Sequence, residues 1–380
     1  MKLLFLSPNS EIGGAEAVLI EDMLALQAHH DIHVILPAEG TISKKLKGTK
    51  IIVHIVRFDW WIATHSLTFI QKIKFTRGYI ISTLKIKKII TNISPDTLIT
   101  NTIATPVAAI AAALASVKHI WYIHELGKED HHLSFFFGEK KSYYLINKLS
   151  NRIITTSFLV QKKVAGYIPD NKIETIYCSV EIPNSEQFIS AENPYKIALN
   201  SPLKLLITGR VGEGKRQEDA VKALEILIKK YDIPAQLTIV GDRGGEYSQQ
   251  IKDYIQQNQL SAFVDFVQFT DNIYKYYQEA DFVFICSRCE AFGRVTIEAM
   301  KLKKVVFASD AGANPELLGN NERGILYQMG DAEDLAQKVA QTMQHPIQLQ
   351  QISQRAFEWS WQVCNTKTHL DNLLKTIQNA

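Results

Sequence analysis

A chain of 380 residues is longer than one hydrophobic core usually organises, so two domains are expected. With 46% hydrophobic and 21% charged residues the composition is that of an ordinary globular protein. A net charge of +3 is too small to argue for nucleic acid as a partner, and no run of about 18 apolar residues predicts a transmembrane helix.

The first apolar run, Leu3 to Leu6, is too short for a signal peptide and reads as a buried strand. A glycine-containing loop and an apolar-periodic segment from Ala17 to Leu26 follow it. Ile32 to Leu36, Thr97 to Thr100, His119 to Ile123 and Arg152 to Thr155 read as further strands, separated by helix-compatible stretches. Such alternation predicts a parallel sheet covered by helices. The pattern fades between Cys178 and Pro202, where three prolines interrupt it. It restarts with a strand over Leu203 to Thr208, a helix over Glu218 to Lys230 and a strand over Ala235 to Val240. Phe263 to Phe266, Asp281 to Cys286 and Lys304 to Ala308 continue the strand series. Asp331 to Met343 predicts a helix, and Ile352 to Ile377 a helical tail with Phe357, Trp359 and Trp361 to anchor it. The expected organisation is an N-terminal domain over 1–180, a linker over 181–202, a C-terminal domain over 203–360, and a last helix over 361–380 that packs back on the first domain.

Each half therefore reads as a Rossmann-like α/β domain, whose ligands sit beyond the carboxyl ends of the strands. The polar motifs fall there. After Asp281 to Cys286 comes CEAFGRVTIEAM, in which Glu290 and Glu298 stand around a glycine turn that starts a helix. Carboxylates so placed can take hydroxyl hydrogen bonds, and amides at the helix start can face a phosphate. After Leu203 to Thr208 comes GRVGEGK. Its glycines allow close approach to a ligand, but Arg216 follows Lys215 where a P-loop has Ser or Thr. Gly13-Gly14 follows the first strand, and His124-Glu125 follows His119 to Ile123. The four cysteines do not suggest a disulfide framework, and Cys286 and Cys289 lack a second pair for zinc.

With Gly13-Gly14-Ala15-Glu16, Gly209-Arg210 with Lys215, Glu290/Glu298 with Phe292-Gly293, and Ala311 to Glu316 in this order, the chain resembles the retaining glycosyltransferases of family 4. More loosely it resembles cyanobacterial glucosyltransferases of heterocyst envelope polysaccharide synthesis. The resemblance implies the GT-B fold, two Rossmann-like domains facing a deep interdomain cleft. It implies that Glu298 grips the donor ribose hydroxyls and that Glu290 meets the sugar near its C3 and C4 hydroxyls. Ala291, Phe292 and Gly293 approach the sugar, Val295 and Thr296 face phosphate, and Arg210 and Lys215 hold the diphosphate. Gln268 and Phe269 lie in the segment that approaches the base, Gly13 and Gly14 run beside the donor phosphates and acceptor, and His124 contacts the donor sugar or the reaction centre. Ordinary alternatives stand beside these roles: a dipole-favouring Glu298, a salt bridge from Glu290 to Arg288 or Arg294, a structural His124, solvated Arg210 and Lys215. Glu16 is open between orienting the loop, reaching the acceptor and capping a helix. Two departures from the family pattern are Gln268, where glycine is frequent, and Ala313, where Gly312 is usually followed by a second glycine.

The implied reaction moves a hexose from a UDP-sugar, UDP-glucose by family frequency, to a sugar hydroxyl of a polysaccharide or lipid-linked glycan precursor. No tightly bound cofactor and no metal are expected, with Arg210 and Lys215 stabilising the leaving diphosphate. An epimerase or phosphorylase of the same fold, or a nucleotide-sugar-binding protein without turnover, are the competing readings. A cytoplasmic location is expected. The lysine-rich, apolar segment 69–90, with Trp60-Trp61 and Phe135-Phe136-Phe137, suits either contact with anionic lipid at the inner face of the plasma membrane or a helix with its apolar side in the core.

Overall fold

The computed structural model of the protein describes residues 1–63, 69–183, 202–270 and 272–380. The chain forms two compact units, one of residues 1–179 with 366–380 and the other of residues 180–365. Most of the expected linker, 184–201, lies outside the described residues.

The N-terminal unit carries β1 (Lys2–Leu6), β2 (Asp31–Leu36), β3 (Ile52–Ile55), β4 (Ile62–Ala63), β5 (Thr97–Asn101), β6 (Lys118–Ile123), β7 (Ser134–Phe135), β8 (Arg152–Thr155) and β9 (Ile173–Thr175). Seven of them form one sheet in the order β3-β2-β1-β5-β6-β8-β9, parallel throughout, while β4 and β7 form a small antiparallel pair. The central strands are buried on both faces: β1 reads as an apolar run after Lys2, whereas β5 buries Thr97, Thr100 and Asn101 beside Leu98 and Ile99. Trp61 is buried, not part of a surface patch. Its ring stacks on Trp121 at 5.9 Å, and its indole N–H donates to the Ile103 carbonyl.

The C-terminal unit has β10 (Leu203–Thr208), β11 (Ala235–Asp242), β12 (Val264–Gln268), β13 (Phe282–Ile285), β14 (Val305–Ser309) and β15 (Ile325–Tyr327). All pairs are parallel, in the order β12-β11-β10-β13-β14-β15. Counted from β10, that is 3-2-1-4-5-6, the order of dinucleotide-binding Rossmann sheets. Its core joins Leu205, Ile207, Leu237, Phe282, Phe284 and Phe307 to Leu224 and Leu335 from the covering helices.

The tail departs from expectation. It is two helices, Pro346–Val363 and Thr366–Gln378, and residues 361–365 stay with the C-terminal unit. The reason is local bonding around Cys364. Its N–H donates to Ser360, and its carbonyl accepts from Val180 N (3.1 Å) and from the buried Lys301 ammonium (3.0 Å). Trp361 lies 4.3 Å from the same ammonium, and Trp359 covers Arg323. The Thr366–Gln378 helix belongs to the N-terminal unit. There His369 Nδ1 donates to the Tyr177 carbonyl at 2.8 Å, and Nε2 lies 2.9 Å from Asp22 on the Gly14–Leu26 helix.

Desolvation acts to lower the His369 pKa, but Asp22 and the Tyr177 carbonyl outweigh it and hold it above the ordinary 6.5. The pair's contribution is therefore full below pH 6.5 and is lost as pH rises through the folded pKa. Asp22→Asn is expected to cost about 3 kcal/mol at pH 6, because it strands a buried imidazolium. The deficit should shrink by pH 8. Urea unfolding at the two pH values measures it, and a deficit independent of pH would remove the charged pair from the account.

Candidate functional site

At the switch point of such a sheet, the loops after the first and fourth strands diverge and leave a crevice. Here those strands are β10 and β13.

The chain leaves β10 through Gly209, at φ 116°, a conformation that favours glycine. Gly241, at the end of β11, passes so close that a Cβ there would collide with the Gly209 carbonyl. The buried Gln217 amide spans the loop, donating to Arg210 O at 3.2 Å and accepting from Gly212 N at 3.3 Å. This fixes the backbone and leaves Arg210 exposed. A single 3-10 turn, Glu213–Lys215, then presents Lys215. Arg216 is committed elsewhere: its guanidinium grips the buried Asp219 carboxylate in a fork of 2.9 and 2.8 Å.

The loop after β13 is tied to that turn by Arg288 N donating to Gly214 O at 2.9 Å. Glu290 forms an ion pair with Lys215, and Ser287 Oγ donates to the same carboxylate oxygen at 2.6 Å. Lys215 is a partner of Glu290 that the sequence alone does not suggest. Behind Glu290, Gly312 (φ 62°) approaches so closely that a Cβ would collide with Glu290 N and stand 2.7 Å from its O. Ala313, fully buried, donates its N–H to Glu290 O at 2.8 Å.

Phe292 is buried, and Gly293 caps the Arg294–Lys301 helix at φ 95°. Thr296 N and Ile297 N both donate to Gly293 O, so Val295 N, one position earlier, has no intrahelical acceptor. Thr296 is fully buried, and its Oγ1 has no hydrogen-bond partner among the described residues. Two residues on, Glu298 accepts from Tyr277 OH at 3.1 Å, and Tyr277 OH also meets Thr208 Oγ1 at 3.0 Å. Burial first, and then the Glu298 charge, push the Tyr277 phenol well above its usual range, so it remains a proton donor to Glu298.

Gln268 ends β12 and is exposed, as is Phe269, 63% accessible. The Arg243 guanidinium lies 5.0 Å from the Phe269 ring centre. Arg243 and Tyr277 were missed in the sequence. Arg243 could have been found from its place just after a strand. Tyr277 could not, because its partners are distant in sequence.

The N-terminal unit holds the other candidates. Gly13 and Gly14 open the Gly14–Leu26 helix. Glu16 is buried and accepts from Gly13 N at 3.1 Å and from Asn9 Nδ2 at 2.7 Å, so it caps the helix and orients the loop. A Cβ on Gly13 would stand 2.8 Å from that carboxylate. His124 follows β6 with its ring 4.1 Å from Tyr122. The Glu125 carboxylate joins two loops, accepting from His124 N and from Ile103 N, each at 2.9 Å. Among the described residues no group of three or more His, Cys, Asp and Glu is placed to hold a metal ion. All four cysteines are free, and burial pushes the Cys286 thiol up to about 12.

The sequence matches the family description "Glycosyltransferase Family 4" over residues 12–182 and "Glycosyl transferases group 1" over 191–359. The protein is a GT-B glycosyltransferase. It superposes on the Anabaena protein HepE solved with UDP at a TM-score of 0.82, with 20% identity and full coverage of both chains. A glycosyltransferase from Rickettsia africae superposes at 0.80 with 21% identity over 99% of this chain and 97% of that one. The capsular polysaccharide biosynthesis glycosyltransferase CapM of Staphylococcus aureus is 26% identical over 50% of this chain, and the match spans only 49% of its own length. An uncharacterised glycosyltransferase of Methanocaldococcus jannaschii is 23% identical over 84% of this chain and 89% of its own.

Two expectations follow for the enzyme. Gly312→Ala should lower unfolding stability by at least about 2 kcal/mol, since the added carbon displaces backbone rather than a flexible side chain. An unchanged urea midpoint would show that the loop relaxes freely. Desolvation raises the Glu125 carboxyl from an ordinary 4.5 to about 7, so the folded state binds the extra proton between those values and stability falls as pH rises through them. Glu125→Gln should flatten that slope. Parallel stability–pH curves for variant and wild type would contradict the shift.

Proposed function

We propose that this glycosyltransferase moves a hexose, glucose, from UDP-hexose to a sugar hydroxyl of a polysaccharide or lipid-linked glycan precursor, retaining anomeric configuration. The observation that carries this reading is the turn after β13. Two separately held carboxylates, Glu290 by Lys215 and Ser287 and Glu298 by Tyr277, flank a helix start where Thr296 Oγ1 is buried without a partner. A carboxylate accepts two hydroxyl hydrogen bonds at once, which suits a vicinal diol. Glu298 is assigned to the ribose and Glu290 to the hexose. The Val295 and Thr296 amides, Arg210 and Lys215 take the diphosphate, and Ala291, Phe292 and Gly293 line the hexose. The base is assigned to Gln268 and Phe269, with Arg243 stacked beyond. His124, at the donor sugar, and Gly13-Gly14, beside the phosphates and acceptor, rest on the family resemblance.

In the proposed reaction the bond from the sugar C1 to the diphosphate oxygen breaks and the bond from C1 to the acceptor oxygen forms on the same face. The acceptor proton passes to the departing diphosphate, so no protein nucleophile is required. Arg210, Lys215 and the helix amides offset the charge that grows on the leaving group, which is the work a metal would otherwise do. A diphosphate beside Lys215 would share that ammonium with Glu290 and so couple hydroxyl binding to charge. Names of relatives lend support: HepE has been solved with UDP-glucose, and AmsK of Erwinia amylovora, 30% identical over 52% of this chain, is an amylovoran biosynthesis glycosyltransferase.

A thermal-shift competition among nucleotide sugars, followed by mass spectrometry of the products, tests the reading. UDP-glucose should stabilise most, and saccharide with free UDP should form. A free epimeric nucleotide sugar, or binding without turnover over a panel of acceptors, would replace it. Glu290→Gln should lower kcat by about a hundredfold with an unaltered melting temperature. Tyr277→Phe should raise the donor KM about tenfold, through loss of one hydrogen bond to a charged group, and change kcat less. Turnover untouched by Glu290→Gln would sink the site.

A further inference from the structure

Trp60 lies in the loop after β3 and keeps 38% of its surface exposed. A single exposed aromatic is ordinary on a protein surface. What distinguishes this one is how it is held. Its indole N–H, the one polar group of the side chain, donates to the Pro8 carbonyl at 3.0 Å. The backbone is pinned on either side of it. Thr105 Oγ1 donates to Asp59 O at 3.0 Å, and Trp61 N donates to Ala104 O at 2.9 Å. The Pro8 carbonyl is a firm anchor in its turn. Two residues on, Ser10 Oγ donates to Ala38 O at 2.8 Å and accepts from Ala38 N at 3.1 Å, while Ser10 O accepts from Ile42 N at 3.0 Å. Ile12 N donates to Thr41 Oγ1 at 3.1 Å. A Cβ on Gly40 would stand 2.4 Å from Ser10 O, so the loops after β1 and β2 are locked together. Trp60 is thus fastened at the carboxyl rim of its sheet, on the loop that leads into Gly13 and Gly14.

We propose that the exposed surface of the Trp60 indole is a stacking platform for a pyranose ring of the acceptor, which makes Trp60 a specificity-determining residue for the sugar that receives the hexose. This rests on the reading of the enzyme as a transferase to a sugar hydroxyl, and adds where one acceptor ring lies. Chemistry selects the occupant. A pyranose with equatorial hydroxyls carries its polar groups around its rim and C–H bonds on its faces. It can cover a flat apolar surface while its hydroxyls stay in water. An indole whose N–H is already bonded inside the protein offers that surface and strands no donor when it is covered. Because the side chain is fixed beforehand, little rotamer entropy is lost on binding. The rim position matters as much as the ring, since ligands of such sheets sit beyond the strand ends.

The test titrates the full chain with methyl β-glucopyranoside, methyl β-galactopyranoside, cellobiose and maltose. Indole fluorescence is followed without a donor, and UDP release is followed with UDP-glucose. At least one glycoside should change the fluorescence and speed UDP release, and the fluorescence change should be absent in Trp60→Ala. That variant should raise the KM for the same glycoside about tenfold and alter the KM for UDP-glucose by less than about twofold. Trp60→Tyr, which keeps a flat ring, should recover most of the loss. The melting temperature of each variant confirms that it is folded. The proposal is overturned if no glycoside of the panel changes the fluorescence or UDP release, or if Trp60→Ala leaves the glycoside KM unaltered. Equal rises in both KM values would mark a merely structural tryptophan, and quenching at Trp60 by UDP alone would mark a nucleotide stack. Either result also overturns it. Failure of the donor reading looks different: UDP-glucose is not consumed, yet a glycoside still reports at Trp60 without turnover.

Discussion

The close passage of Gly312 over the backbone of Glu290 is the constraint on which the C-terminal site depends. β13 and β14 run parallel and in register, so their following loops emerge side by side at the same sheet edge. Only a residue without a side chain, turned to positive φ, lets the second loop fold back far enough for Ala313 N to bond Glu290 O. The backbone of Glu290 is thereby set by the neighbouring strand, and its side chain by Ser287 and Lys215. Glu298 is fixed by an unrelated device, a buried tyrosine lodged between it and β10. Two carboxylates close in sequence are therefore held by separate parts of the sheet, and neither relies on the other for its orientation.

The cations of this region look alike in sequence and differ in the structure. Arg216 is spent on the buried Asp219 and shapes the start of the Gln217–Lys229 helix. Lys215, one residue earlier, reaches across to Glu290, while Arg210 is exposed on a backbone fixed by Gln217. Arg243, just after β11, lies over the Phe269 ring that follows the neighbouring strand β12. The difference comes from burial of the partner: a guanidinium forked onto a buried carboxylate cannot be withdrawn without stranding that charge, whereas a partly exposed lysine can exchange partners cheaply.

Much of this was legible because parallel strands buried on both faces read as apolar runs whose ends mark the ligand side of the sheet. Arg152 to Thr155 and Leu203 to Thr208 were read to the residue. The strands β3, β9 and β15 were not, being short and only partly buried: β9 has a single apolar residue, and the apolar stretches at β3 and β15 are interrupted by His54 or limited to three residues. The tail read as one helix because Phe357, Trp359 and Trp361 continue the apolar content. The break at Cys364 is made by partners more than sixty positions away, Lys301 and Val180. Trp60 and Trp61 look equivalent in sequence, yet one is exposed and the other is stacked in the core, a difference made by Trp121. For the site, the motif order located the residues, and the roles came from the family resemblance. Tyr277, Ser287 and Gln217, which hold those residues in place, carry no local signal.

The N-terminal unit is not a continuous stretch of sequence. Its last helix, Thr366–Gln378, is made after the whole of the other unit, and it brings His369 to Asp22 and buries Leu373 and Ile377. On the ribosome, the first sheet can form long before this cover exists, but Asp22 must wait without its partner while residues 180–365 are translated and folded. The two units thus mature in the reverse of the order in which their synthesis begins. A fragment ending at residue 179 would keep every strand of its sheet and still lack the piece that seals it.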